Sequence, residues 1–155
     1  MQLLGWTLVA LWRQRSVQDA ALQLSDKLMV MTGIWLQIME SAAMDDQPQV
    51  LRLAAANSLR ITRPYILAYE GQGTLSTSAE QRALTISNCM RAWILALKFL
   101  QDDDDEVRQV ANETCCAALA LNGEDIGRSR AIVVTVTAEV GLCIVYSHIY
   151  IYICK

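Results

Sequence analysis

The sequence predicts an all-α chain of antiparallel helical hairpins, followed by a tail of different character. Three observations predict it. Apolar residues recur at steps of three and four over residues 17–38 and again over 83–100, the spacing that places side chains along one side of a helix. An acidic turn follows each stretch, with Asp45 and Asp46 in the first and Asp102, Asp103, Asp104 and Asp105 in the second. Each turn then runs into a segment carrying Val, Ala and Arg, which is expected to pack back as the second helix of a hairpin.

The bulk composition sets limits on what these hairpins can do. A chain of 155 residues is long enough for one domain with its own core, and 54% hydrophobic content excludes a disordered polar chain. The net charge of −3 gives no overall basic field to draw in nucleic acid or an anionic membrane. Five cysteines and one histidine, His148, are present without any CxxC pair, so no zinc site with matched ligand spacing is visible. Buried, reduced thiols in a cytoplasmic protein are the expectation.

In chain order, Leu4, Leu8 and Leu11 predict a helix over residues 2–13. The apolar run from Leu3 to Trp12 lacks the basic start and small-residue cleavage site of a secretory leader. A chain that opens on such a helix is expected to be a piece of something larger. Ser16, or alternatively Ser25, is placed to cap the next helix. Its stripe is Val17, Ala21, Leu24, Leu28, Met31, Trp35 and Ile38, with Gly33 as a possible kink. Pro48 suits the first position of the third helix, where its missing N–H costs nothing. Val50, Leu51, Ala54, Ala55 and Leu59 are expected to face a neighbour, and Pro64 to end the helix near Thr62.

Residues 71–78 form a loop by composition. Its two glycines lack the Lys-Ser/Thr pair of a phosphate-binding loop. Ser78 and Gln81 fit a capping box, and Ala83, Ile86, Met90, Trp93, Leu97 and Leu100 form the next stripe. The acids of residues 102–105 are expected to cap the last helix and meet the positive end of its dipole. They lack the twelve-residue loop pattern of a calcium site. Val107, Val110, Ala111, Thr114, Ala118 and Leu121 should be buried, and Asn122 with Gly123 should stop the helix.

The composition then changes. Residues 131–155 hold twelve Val, Ile or Thr, against twenty in the first 130 residues, and Glu139 is the only Asp, Glu, Lys or Arg between Ala131 and Cys154. Such a segment is strand-prone. Its apolar run of residues 140–154 is shorter than the ~20 residues of a membrane span. The expected division is a helical-repeat domain over residues 1–128 and an atypical tail over 129–155, foreign to the repeat. That tail could drape over the face the second hairpin leaves uncovered or pair with tails of other chains; because Tyr146 to Cys154 is strand-prone, almost uncharged and free of Pro, the full chain is expected to be poorly soluble and to behave better when residues 129–155 are removed.

The two hairpins resemble HEAT or armadillo repeats. Matching Val50 to Val107, 57 residues on, aligns Ala54 with Ala111; typical repeats of this kind are about 40–47 residues long. The first copy departs from the second, because Leu51 stands where Arg108 does and Arg52 comes one position late. The segments from Trp35 to Ser41 and from Asp45 to Asn57 resemble the C-terminal part of plant members of the thyroid adenoma-associated (THADA) protein family, and the acidic stretch from Asp102 to Ala111 fits that family's later repeats. The resemblance covers roughly residues 1–125. It implies a HEAT/armadillo-like α-α superhelix. It also implies a non-catalytic role beside a tRNA ribose methyltransferase that 2′-O-methylates the anticodon loop.

The residues themselves agree with a chain that performs no chemistry. No Gly-rich loop follows a strand, one histidine makes no plausible triad, and no catalytic, cofactor or metal residue is expected. Arg52, Arg60 and Arg63 are separated by eight and three residues and could share one exposed side as a patch for tRNA or a partner protein. A generic HEAT-type protein adaptor with no RNA role is the alternative. Neither a small-molecule ligand nor a membrane is expected.

Overall fold

A computed structural model describes residues 2–15, 22–67 and 79–120. Within them the chain is entirely helical, as predicted, with five helices: α1 (Gln2–Arg15), α2 (Leu22–Ala42), α3 (Gln49–Ile66), α4 (Ala79–Phe99) and α5 (Asp105–Ala120). They form two layers. In one, α3 lies between α1 and α5; in the other, α2 lies beside α4. Short turns make α2 and α3, and likewise α4 and α5, antiparallel pairs that join the layers.

Between the layers sits one core. Leu28, Trp35, Leu36 and Met39 come from α2, Ala55, Ala56 and Leu59 from α3, Trp93, Ala96 and Phe99 from α4, and Val107, Ala111 and Cys115 from α5. The Ala55 and Ala56 pair, both fully buried, lets α3 approach its neighbours closely. Buried hydroxyls are satisfied within their own helices: Thr32, Ser58, Thr62 and Thr114 each donate to the carbonyl four residues back.

Several expectations need correcting. In α2 the buried stripe is Leu28, Met29, Thr32, Trp35, Leu36 and Met39, whereas Met31 and Ile38 are exposed. In α4, Ala83 and Ile86 are exposed, and the core takes Cys89, Ala92, Trp93, Ala96 and Phe99. α2 passes through Gly33 as one helix. Val50 is 77% exposed and Val107 is 0% exposed, so the 57-residue match does not align core positions. A shift of 55 does (110 − 55 and 111 − 56), pairing buried Ala55 and Ala56 with buried Val110 and Ala111.

Pro64 lies inside α3, which continues to Ile66. Proline leaves the carbonyl four residues back without its backbone donor. Here that carbonyl belongs to Arg60, and the Arg63 side chain reaches it from Nη1 at 3.5 Å. Burial of Ile66 and Leu67 anchors the extra turn, and the Trp93 indole N–H donates to the Leu67 carbonyl at 3.2 Å. The expected caps at Ser16 and Ser78, the stop at Asn122 and Gly123, and the tail over 129–155 lie outside the described residues.

Candidate functional site

The acidic turn between α4 and α5 divides its carboxylates among separate tasks. Asp104 is the N-cap of α5: its Oδ1 accepts the N–H groups of Glu106 at 3.0 Å and Val107 at 3.1 Å, two donors that the helix start cannot satisfy itself. Asp102 accepts the Asp104 N–H at 3.0 Å through Oδ1. Asp105 pairs with Arg108, whose Nη1 also donates to the Asp102 carbonyl. The capping expected from the sequence is therefore present.

What sequence reasoning missed is where Arg52 goes. Entering from the first turn of α3, it meets Asp102 side by side, with Nε on Oδ2 at 2.9 Å and Nη2 on Oδ1 at 3.1 Å. It also pairs with Asp103 and donates to the Gln47 carbonyl at 2.7 Å. Its side chain and that of Asp102 are both buried. The Asp102 hydrogen bond raises the guanidinium pKa against the opposing effect of burial. For Asp102, burial pushes the carboxyl up, but the Asp104 N–H and the Arg52 guanidinium together hold it below the ordinary carboxylate value.

The proposed arginine patch is thus not one exposed side. Arg52 is buried in the joint between the two turns. Arg60 is half-exposed and pairs with Glu113 of α5 at 3.3 Å. Arg63 is half-buried, with its Nε enclosed and lacking a hydrogen-bond partner among the described residues. Around the joint stand the exposed carboxylates Asp45, Asp46, Asp103, Asp105 and Glu106, which repel phosphate. The signal that could have flagged Arg52 was the irregularity already visible in the sequence, an arginine one position late.

The second notable surface is apolar. In α2, Met29, Gly33 and Glu40 meet α4: Asn88 donates to the Met29 carbonyl at 3.0 Å, and Arg91 grips Glu40 at 2.8 and 2.7 Å and reaches the Gly33 carbonyl. At 3.6 residues per turn, Met31, Ile34 and Ile38 lie on the opposite side of α2. With Val30 they are exposed, Ile34 at 55%. On α1, Gly5 approaches Thr62 and Ser58 of α3, while Leu3 and Trp6 are turned out and exposed. On α4, Ile86 and Ile94 are exposed as well, but they do not form a matching strip, because buried Trp93 and Leu97 occupy the side opposite Asn88 and Arg91. The apolar strip of the α2–α4 layer is therefore the outer flank of α2.

Burial pushes the Cys89 thiol up to about 12, and burial together with the neighbouring Cys116 pushes Cys115 up to about 12, so neither is a nucleophile near neutrality. Among the described residues no group of three or more His, Cys, Asp or Glu side chains is placed to hold a metal ion, and no helix is long and apolar enough to cross a membrane. No protein-family model matches the chain, and no curated protein or solved structure matches it.

Proposed function

We propose that this chain is part of a HEAT/armadillo-like superhelix. In this reading it acts as a non-catalytic scaffold, supporting 2′-O-ribose methylation of the tRNA anticodon loop by a partner methyltransferase. The supporting observation is the apolar strip of Val30, Met31, Ile34 and Ile38 on the outer flank of α2 in a two-layer helical stack. A helical repeat buries its apolar face only against its neighbours, and such flanks are what a stack offers to further helices or to a partner. The link to tRNA rests on the resemblance of residues 35–57 and 102–111 to the THADA family. The internal pairing of Arg52 and Arg60 favours contact through protein rather than through RNA, and in the generic adaptor reading that contact is the whole function.

Co-purification with the tRNA ribose methyltransferase of the same source, followed by methylation of its tRNA, tests the proposal. The wild-type chain is expected to co-purify with the enzyme. The double substitution Ile34→Glu and Ile38→Glu should lose it, because two charges would then enter an apolar contact. A chain that captures other proteins but never the methyltransferase selects the generic adaptor. Salt-dependent tRNA binding by the chain alone, reduced by Arg60→Glu, would return RNA contact to this surface.

A further inference from the structure

We infer that the outer flank of α2 pairs with the same flank of a second copy of this chain, the two α2 helices running antiparallel about a two-fold axis at Ile34. The flank has the form of a helix–helix seam. Lys27, Met31, Ile34, Ile38 and Ser41 follow one another at steps of four, three, four and three, and all five are exposed. That alternation holds one row of side chains against a facing helix. Val30, also exposed, lies one turn before Ile34 and widens the row. The middle turns of the seam are apolar, and its polar members, Lys27 and Ser41, stand at the two ends.

Charge sets the orientation. A two-fold axis at Ile34 places Ile34 opposite its own counterpart, Val30 opposite Ile38 and Lys27 opposite Ser41. Lys27 is the one charged side chain in the row. In this pairing it lies 14 residues (41 − 27), about 21 Å along the helix, from the Lys27 of the other copy. It faces the last turn of the other α2, which ends at Ala42 and carries the negative end of the helix dipole. Asp45 and Asp46, exposed in the turn just beyond, add to the attraction. A parallel pairing would instead bring the two Lys27 ammonium groups together. Glu40 stays out of the seam, because it is turned toward α4 and held there by Arg91.

The area fits a small, specific contact. Val30, Met31, Ile34 and Ile38 are 55%, 43%, 55% and 41% exposed, roughly 350–400 Å² in all, which is the size of a functional patch on a monomer. Both copies together bring about 700–800 Å², and the rims at Lys27, Gln37 and Ser41 carry the total to the about 1,000 Å² that a specific interface needs. A contact at this lower end of the range is weak and reversible, of micromolar strength. The flank is the one that the proposed function gives to a partner, so a partner and a second copy compete for it. The pairing itself is a property of the chain alone and holds whichever partner is right.

Sedimentation of the purified full chain, together with one cross-link, tests the inference. The wild type should pass from monomer to dimer in the micromolar range. Ile34→Glu with Ile38→Glu should weaken the dimer about a hundredfold or more, because four carboxylates would enter an apolar seam. Circular dichroism at dilutions where both chains are monomers checks the fold, and Ile34→Ser replaces the double variant if that is unfolded. Under mild oxidation Ile34→Cys should yield a disulfide between the two residues 34, identified by peptide mapping. Lys27→Cys should give no such link to itself, since a disulfide needs Cα atoms within about 7 Å. Association through the tails would not bring residues 34 together. A wild type that stays monomeric throughout the micromolar range overturns the inference. So does a dimer unchanged in the folded variant, or one that links at position 27 and not at 34. Any of these leaves the partner reading standing, just as failure to capture the methyltransferase leaves the pairing standing.

Discussion

Asp102 is the residue through which the two hairpin turns communicate. It receives Arg52 from one turn and the Asp104 N–H from its own. Asp102→Ala leaves the buried guanidinium of Arg52 with only Asp103 and the Gln47 carbonyl. A lost charge-assisted pair of this kind costs about 1.5–3 kcal/mol, to be read as a lower urea midpoint at unchanged slope. The pH dependence has a definite sign. The folded pKa of Asp102 is depressed, so above the unfolded value its stabilisation is fully present, and it is lost as pH falls through the folded value. The acid limb of wild-type stability, below about pH 4, should therefore flatten in the Asp102→Ala chain, and identical limbs would show that the ion pair carries no net stability. Asp104→Ala removes a different contribution, the N-cap of α5, and should cost about 0.5–2 kcal/mol. Neither change should affect calcium, because calorimetry is expected to show no micromolar calcium binding to the wild type.

At the scale of the element, α2 and α4 show how two apolar helices find their contact. Both are apolar on more than one side, so burial alone does not orient them. Polar groups set the register: Asn88 on the Met29 carbonyl, Arg91 on Glu40 and, at the end, Lys98 with Asp45 at 3.4 Å. Gly33 sits at the crossing, where a Cβ would meet Asn88 Oδ1 at 3.5 Å and Arg91 Nη1 at 3.9 Å, ordinary contact distances. Gly33→Ala is thus expected to raise stability by about 0.5–1 kcal/mol, the cost of glycine in a helix interior. Gly33→Leu should lower stability by pushing the arginine off its carboxylate. Thermal melts of the two variants check both signs. A destabilised alanine variant would mean that the crossing is tighter than these distances.

For the whole molecule, the stack joins its hairpins through specific charge pairs and exposes an apolar flank on α2. These two surfaces should separate on mutation. Ile34→Glu with Ile38→Glu changes only exposed side chains, and the melting temperature and helical circular dichroism should stay close to wild type, within the about 0.5 kcal/mol usual for surface changes. Partner capture should nonetheless be lost. Cys89 and Cys115, with thiols raised to about 12 by burial, should label only through opening of the core. Their alkylation rate would then follow denaturant in step with the global unfolding transition, and labelling without such dependence would reveal a local opening at α4 or α5.

The sequence by itself determined that these stretches are helices, where the acidic turns break them, and that a carboxylate would cap α5. Helical period, turn composition and capping act over a few residues, and the local sequence contains all of that information. Tertiary structure alone decided which side of α2 is core. Leu28, Trp35 and Met39 on one side and Met31, Ile34 and Ile38 on the other are both apolar, and periodicity cannot choose between two apolar sides. It also decided the continuation of α3 past Pro64, which depends on burial of Ile66 and Leu67 and on the Trp93 indole. Arg52 is the clearest case. In sequence it is one arginine of a possible patch, and its carboxylate partner lies 50 residues away (102 − 52). Only the packing of α5 against α3 brings that charge within reach, and the long-range ion pair turns a candidate binding residue into a joint of the fold.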